Sequence, residues 1–439
     1  MTAIPTQSRF PQLRHDNITL APGSGKMVMM GMGVAGLVCI ALVAAAGATG
    51  MFGVFARHAL AAYHVGAVAA MTMCLGATFF VMLFHLTNAG WSATIRRQFE
   101  NVMAFLPIAF AMAALTPLID ATLGGGKLFL WMNHASYSDT LLQEKFAYFY
   151  GSGFDHAADH SHNIFPFFYF VRLLAYGLLW AFITQRLRGF SLKQDATNDR
   201  ALSAKARFTS AWGILVMALT TAFAAFDLLM SLDYRFFSTM WGVYIFAGSM
   251  FSSAALLSFV LARIRGTGKL EGAVTSEHFH DMGKLMFSFT VFWAYIAFSQ
   301  YFLIWYSNIP EETAFYIWRE NGFFVWLGRA LIFGHFAIPF LILIFRPVKK
   351  SPQILSLMAI WMIAIHLIDL IWIIRPMAYV GEAAASDPGL SAAILVDLAG
   401  ALGPVLLLGA FLAWRIPSSP LVAVNDPFMN ESLKHANYV

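Results

Sequence analysis

The chain has 439 residues, of which 59% are hydrophobic and only 12% are charged, and its mean hydropathy is +0.66. A soluble domain averages roughly 25% charged residues, so this composition excludes a soluble enzyme and a disordered protein and predicts an all-α polytopic membrane protein. The small excess of 28 basic over 23 acidic residues indicates charge that sets topology, with lipids and no nucleic acid as partners.

Ten apolar segments are long enough to cross a bilayer, which takes roughly 20 residues of helix. They are much longer than barrel strands and lack period-two alternation, so a helix is predicted for each. We number them spans 1 to 10 in chain order: 27–54, 62–88, 100–119, 165–186, 207–229, 237–263, 281–306, 321–346, 352–374 and 390–414.

The distribution of basic residues predicts the orientation. The two tails and the even-numbered loops hold 19 Lys and Arg residues, whereas the odd-numbered loops hold 6. Because cytoplasmic loops are enriched in Lys and Arg, both termini are expected in the cytoplasm. The even number of spans agrees with that expectation.

Cysteine usage limits the redox chemistry that the chain could carry out. Cys39 and Cys74 lie far apart in apolar segments, and the sequence has no C-x-x-C-H haem motif and no four-cysteine iron–sulfur motif. We therefore expect no covalently bound cofactor and no redox centre, so a redox role would depend on partner subunits or on a diffusible carrier.

The predicted outer loop 120–164 is the largest segment outside the spans. Leu141–Tyr150 is predicted to form an interfacial helix, and 155–162 is dense in His and Asp. That density suggests a metal site, but the loop is flanked by glycine and does not preorganise its side chains, so a solvated loop is favoured and no metal ligand is assigned. A loop of about 45 residues usually has a function. We expect 120–164 and 307–320 to contact partner subunits.

Ionisable residues inside the spans are the candidate functional residues, because each costs at least ~2.5 kcal/mol on insertion scales. The candidates in the outer half, for a proton path or a quinone-headgroup site, are Arg172, Asp227, Arg329, His335, His366, Asp369 and Asp397. The proton-path candidates in the inner half are His85, Glu100, His278, His280, Asp281 and Lys284. The largely apolar middle between the two sets suggests two half-channels, or a quinone pocket above a proton inlet.

One connected cluster is predicted from depth. Spans 8 and 9 are antiparallel neighbours, and a rise of 1.5 Å per residue places Arg329 and Asp369 at similar depth. His366 lies three residues before Asp369 on the same helix face, and His335 extends the cluster inward. An Arg329–Asp369 ion pair is therefore expected. The alternative is that such pairs only hold helices together.

Two further expectations concern side-chain orientation. Glu100 and Lys284 lie near the interface, where long side chains extend toward water, so a structural role is favoured for both. In the aromatic segment of span 7, Tyr295, Ser299 and Gln300 are expected to face the interior beside His366. The alternative for these aromatic residues is ordinary packing.

Several stretches resemble one membrane-protein family closely. They are His85–Ser92, Ser238–Tyr244, His280–Leu285 and Phe292–Tyr306 with its continuation Asn308–Thr313. Together they resemble the second NrfD-like, polysulfide-reductase-type membrane subunit of bacterial alternative complex III, the ActF family. The resemblance extends over nearly the whole chain and includes the ten spans.

The resemblance implies a fold and a set of domains. Spans 2–5 and 6–9 would form two four-helix bundles, flanked by spans 1 and 10. The implied divisions are an N-tail 1–26, span 1 with its outer loop 27–61, the first bundle 62–229, the second bundle 230–374, an outer loop with span 10 at 375–414, and a C-tail 415–439.

The resemblance also implies a function in the bacterial inner membrane. The family's complex oxidises quinol, menaquinone or ubiquinone in its reduced form, and passes electrons to a periplasmic carrier or a terminal oxidase. The implied partners are a sister NrfD-like subunit, an iron–sulfur subunit and multihaem cytochrome subunits, which hold the haems and iron–sulfur clusters. For this chain it implies scaffolding and a role in proton conduction.

Two alternatives remain open from sequence. The chain could bind quinone or quinol itself, or it could be a stand-alone secondary transporter. Against the transporter, the sequence shows no inverted repeat and no paired spans broken by Gly or Pro at corresponding positions.

Overall fold

A computed structural model describes residues 10–51, 55–151, 164–320, 322–378 and 390–437. Within these ranges the regular secondary structure is all helical, and ten helices are long and apolar enough to span a membrane, which confirms the predicted fold class. Spans 1 to 10 are Lys26–Thr49, Ala56–Leu86, Arg96–Gly124, Phe167–Thr197, Ala201–Leu232, Trp241–Arg265, Ser276–Ser307, Phe324–Leu343, Pro352–Ala378 and Ala393–Ser418.

Several helices extend beyond the apolar segments that predicted them. Span 4 continues to Thr197 and span 5 begins at Ala201, so only a short connection separates them. A helix satisfies its own backbone hydrogen bonds and can therefore continue into polar sequence. Hydropathy detects only the apolar part of such a helix.

Eight of the spans pack in two rings of four helices, and span 2 of the first ring lies at the centre of the molecule. Spans 2, 3, 4 and 5 contact one another in turn, as do spans 6, 7, 8 and 9. Span 2 is almost wholly buried, because it also contacts spans 1, 6, 9 and 10. Its Gly76 lies so close to span 6 that a Cβ atom there would be 2.1 Å from the Ser249 carbonyl oxygen. Small residues permit such close approach in membrane helices. The domain boundaries themselves stay a prediction.

Both tails lie at one end of the helix bundle. The amide of Leu421 donates to the Ile18 carbonyl at 2.8 Å, and the amide of Leu270 donates to the Asn17 carbonyl at 3.0 Å. We call this end, formed by residues 10–25 and 419–437, the tail face, and the other end the opposite face. The cytoplasmic location of the tail face stays a prediction.

Two short helices lie at the opposite face. Thr140–Tyr150 confirms the helix predicted from Leu141 to Tyr150, and a second helix covers Pro310–Arg319. The first is tied to the span 5–6 connection, since Lys145 Nζ donates to the Tyr234 carbonyl at 2.6 Å. The His/Asp-rich segment 155–162 lies outside the described residues.

Span 8 is irregular at its centre. Leu331–Ala337 is a π-helical segment in which the amide of Ile338 bonds to the Phe333 carbonyl, five residues earlier. Pro339 has no amide hydrogen to bond the carbonyl of His335, so the regular i to i+4 ladder cannot continue there. Such π segments inside α-helices are frequent at functional sites.

Candidate functional site

Three ionisable side chains meet deep in the second ring. His335, His366 and Asp369 each place one ligand-type atom within 4.8 Å of the others, and all three are buried. We call them the His–His–Asp cluster. Their predicted proximity is confirmed, although the cluster is not confined to one half of the molecule: His366 lies near the midpoint of span 9, 14 residues after Pro352.

Asp369 is held by two neutral donors. The Tyr244 hydroxyl donates to Oδ1 at 2.5 Å, and the Trp293 indole N–H donates to Oδ2 at 3.2 Å. Each carboxylate oxygen therefore retains a second lone pair for another partner. The donors come from spans 6 and 7, so the carboxylate joins three helices.

The predicted Arg329–Asp369 pair is wrong. Arg329 is exposed on the surface of span 8, where its guanidinium lies 4.6 Å from the Trp326 ring centroid. The depths of the two residues are similar, but depth does not determine helix rotation. The π segment that begins at Leu331 offsets the two halves of span 8, and it is His335 that lies beside Asp369.

The hydrogen bonds of His366 determine its tautomer. Thr72 of span 2 donates its hydroxyl hydrogen to the Ala69 carbonyl at 2.9 Å, so its oxygen accepts at 2.9 Å from Nε2 of His366. Nε2 therefore carries the hydrogen, and Nδ1 has a bare lone pair with no hydrogen-bond partner in the described part of the chain. Gly248 makes room for the ring, since a Cβ there would lie 3.2 Å from Cε1 of His366.

His335 is held by ring packing alone. Its imidazole stacks on Trp293 at a centroid distance of 3.6 Å and on Phe251 at 4.0 Å, with interplanar angles of 18° and 23°. Both ring nitrogens are buried and have no hydrogen-bond partner among the described residues. A buried polar atom left unpaired costs about 1–3 kcal/mol, so both nitrogens of His335 remain available to a further partner.

The other outer candidates form ion pairs. Asp397 lies 2.6 Å from Arg375 Nε and 2.7 Å from His58 Nε2, which joins span 10 to the end of span 9 and the start of span 2. Asp227 accepts from Arg172 Nη2 at 2.7 Å and from the hydroxyl of Tyr148 at 2.9 Å. These contacts fasten helices and the Thr140–Tyr150 helix together, so their geometry favours a structural role.

The tail-face candidates form a second polar network. Glu100 is fully buried, 3.1 Å from Arg97 Nη1 and 3.5 Å from Arg96 Nε, so the expectation that it extends to the interface is wrong. Arg96 also pairs with Asp426 of the C-tail, and Arg97 pairs with Asp195 of span 4. Both segments are thereby tied to span 3. His85 lines a small cavity beside Arg96, Arg207 and Asp426.

Three of the remaining inner candidates, His278, Asp281 and Lys284, contact the C-tail. His278 Nε2 lies 3.1 Å from Thr94 Oγ1 and 3.3 Å from Ser432 Oγ. Asp281 bonds Lys284 at 2.8 Å and also His435. Lys284 remains partly exposed, as expected for an interfacial lysine. His280 lies 3.9 Å from Glu277.

Three residues that contact the cluster were missed from sequence, and two residues that were expected beside His366 lie elsewhere. Tyr295 is 65% exposed and does not face His366, whereas Trp293, two residues earlier, does line the cluster. Gln300 is buried but bonds Ser238 and Tyr316 near the opposite face. Thr72 and Tyr244 are neutral hydroxyl side chains, so a search for acidic, basic and histidine residues passed over them.

No protein-family model matches the chain, and no curated protein matches it. The resemblance to the NrfD-like subunits therefore stays a prediction from sequence motifs.

Proposed function

We propose that the chain is an integral membrane subunit of a quinol-oxidising electron-transfer complex of the alternative complex III type. It scaffolds the complex and passes protons through the His–His–Asp cluster, while haems and iron–sulfur clusters reside on partner subunits. Menaquinol or ubiquinol is the reductant, and a periplasmic carrier or a terminal oxidase takes the electrons. The complex sits in the bacterial inner membrane.

The observation that carries the proposal is the bare Nδ1 of His366 in a buried cluster with a carboxylate and a second imidazole. A proton can occupy the carboxylate or either imidazole, because their atoms lie within 4.8 Å and one bridging water spans such a distance. Imidazole is the side chain that most readily exchanges protons near neutral pH. Asp227 and Asp397 differ in geometry, since each is paired with an arginine and not with a histidine that has a bare nitrogen.

Several buried hydroxyl groups lie between the cluster and the tail face. Ser249, Ser252 and Ser253 of span 6 and Thr78 of span 2 are all fully buried. Ser253 has a hydroxyl oxygen with no partner in the described ranges, and it lies beside Gly76, where spans 2 and 6 approach closely. These groups supply donors and acceptors between the cluster and the charged network around Glu100.

Purification in a mild detergent tests complex membership. The chain, tagged at its C-terminus, is expected to bring haem-bearing partners with it and to show quinol-dependent reduction of those haems. A preparation in which the chain is monodisperse, stable and free of haem proteins would contradict the proposal. That outcome would favour the stand-alone transporter.

A further inference from the structure

The His–His–Asp cluster has the ligands of a transition-metal site. Two imidazole nitrogens and one carboxylate oxygen are the donor set that zinc, cobalt and copper ions prefer, whereas magnesium and calcium prefer oxygen ligands alone. Three protein ligands leave a fourth position of a tetrahedral ion open. All three side chains are at least nine-tenths buried.

The unpaired nitrogens of the cluster also point to a bound cation, independently of the ligand types. Nδ1 of His366 is a bare lone pair, because the hydrogen of that ring is on Nε2 and is bonded to Thr72. Within the described ranges both nitrogens of His335 are unpaired, and one of them must also be bare in the neutral ring. Two bare imidazole nitrogens beside a carboxylate form an electron-rich site that a cation satisfies.

The surrounding groups match the outer shell of a metal site. A ligating histidine usually donates its other N–H to an oxygen, as His366 does to Thr72, and a ligating carboxylate is itself hydrogen-bonded, as Asp369 is by Tyr244 and Trp293. These bonds hold the rings and the carboxylate in place without using up their remaining lone pairs.

The distances between the three ligand atoms allow an ion to bind once these atoms move slightly closer together. Bonds of about 2.0–2.1 Å in tetrahedral geometry require ligand atoms about 3.4 Å apart. The cluster atoms lie within 4.8 Å, so they need to approach by at most about 1.4 Å. Sliding of the flat His335 ring between Trp293 and Phe251 supplies such a movement without breaking a hydrogen bond.

We propose that His335, His366 and Asp369 form a binding site for one divalent transition-metal ion of the zinc class. The metal site stands apart from the proposed function, since it requires neither a partner subunit nor quinol. If the cluster both conducts protons and binds a metal ion, the metal and the proton compete for the same lone pairs. Bound zinc then stops proton exchange at the cluster, and the apparent affinity for zinc falls as the pH falls, because the ligands must be deprotonated.

Zinc titration of the purified protein, in whatever assembly it purifies, tests the site. The background variant carries His156→Gln, His160→Gln and His162→Gln, so that the His-rich loop does not contribute. After chelator treatment this background is expected to bind one zinc ion per chain, and a thousandfold excess of Mg²⁺ does not displace it. His335→Ala and His366→Gln abolish that binding, whereas His15→Gln, a change at an exposed histidine of the N-tail, leaves it unchanged.

Two further measurements keep the test decisive if a ligand variant fails to fold. Tyr244→Phe retains all three ligands and removes only a bond to Asp369, so it is expected to weaken zinc binding 10- to 100-fold. Cu²⁺ in the background protein should show electron paramagnetic resonance couplings to two imidazole nitrogens. Zinc binding that is unaffected by Tyr244→Phe, or a copper signal without two nitrogens, would overturn the metal site. Loss of proton-coupled turnover in Asp369→Asn would be independent of either result.

Discussion

His366 and Thr72 join the two rings of helices at the midpoint of the molecule. Nε2 of His366 lies 2.9 Å from Thr72 Oγ1, and Thr72 lies 16 residues into span 2, about 24 Å along a helix of 31 residues. Span 2 belongs to the first ring and His366 to the second. The His–His–Asp cluster is therefore in direct hydrogen-bond contact with the central helix.

Replacement of Thr72 by valine is expected to cost about 1–3 kcal/mol, because it leaves the buried Nε2–H of His366 without an acceptor. Thr78→Val is the matched control: Thr78 is equally buried in the same helix, but among the described residues its hydroxyl bonds only to the Cys74 carbonyl. Thermal unfolding in detergent measures both variants. Equal destabilisation of the two would show that the His366 bond adds nothing to stability.

Loss of Arg375, at the end of span 9, is expected to destabilise the protein more than loss of Arg329. Arg375 is 3% exposed and lies 2.6 Å from Asp397, so Arg375→Met removes the arginine from a buried carboxylate that His58 still contacts, at a cost of about 3–5 kcal/mol. Arg329→Met is expected to change stability by less than about 0.5 kcal/mol, because Arg329 is exposed and pairs with no carboxylate among the described residues. The reverse order in a thermal unfolding assay would refute this assignment.

These arginines show how far sequence reasoning reaches. Hydropathy and a fixed rise per residue correctly place ten helices and bring His335, His366 and Asp369 to one region, since length and spacing determine those features. The partner of Asp369 depends on the rotation of span 8, which its π segment alters, and hydropathy does not report rotation. Similarly, Arg375 lies just beyond the apolar segment of span 9, where it was counted as loop charge.

The opposite-face helix Pro310–Arg319 depends on one buried cation. Arg319 donates to the carbonyls of Trp372 at 2.9 Å, Ile373 at 2.5 Å and Phe315 at 2.6 Å, and so caps the end of span 9. Burial lowers the pKa of its guanidinium to about 9, with partial compensation by Asp233.

Arg319→Met is therefore expected to release the Pro310–Arg319 helix, at a cost of about 1–3 kcal/mol, because its carbonyl partners lose their donor. Arg319→Lys should not restore it, since an ammonium lacks the planar fork that contacts several carbonyls. Limited proteolysis within 310–319 measures the release. Cleavage rates equal to those of the unchanged protein would contradict this role.

A pH-dependent contact holds the start of the Thr140–Tyr150 helix. Asp139 accepts from the Leu141 amide at 3.0 Å and from the Tyr234 hydroxyl at 2.6 Å, and Arg235 lies 3.4 Å away. Partial burial raises the pKa of Asp139, but these donors and the charge of Arg235 outweigh it, so the net pKa is lowered.

Because the folded-state pKa of Asp139 is depressed, its contribution to stability is present above the ordinary value of about 3.9 and is lost as the pH falls through the lower folded value. Protease cleavage near 139–150 is expected to rise as the pH is lowered from 5 to about 3. Asp139→Ala should lose about 0.5–2 kcal/mol at neutral pH and remove that pH dependence. An unchanged pH profile in Asp139→Ala would assign the transition to another group.

The ratio of protons moved to electrons transferred tests the central claim most directly. It is measured in sealed vesicles that contain the purified complex, with quinol as the reductant. Asp369→Asn is expected to leave the complex assembled and its haems reducible but to lower the ratio, because the cluster can no longer hold its proton on the carboxylate. Glu271→Gln, at a largely exposed tail-face position, is the control and should leave the ratio unchanged. An unchanged ratio in assembled Asp369→Asn complex would contradict a proton path through the His–His–Asp cluster.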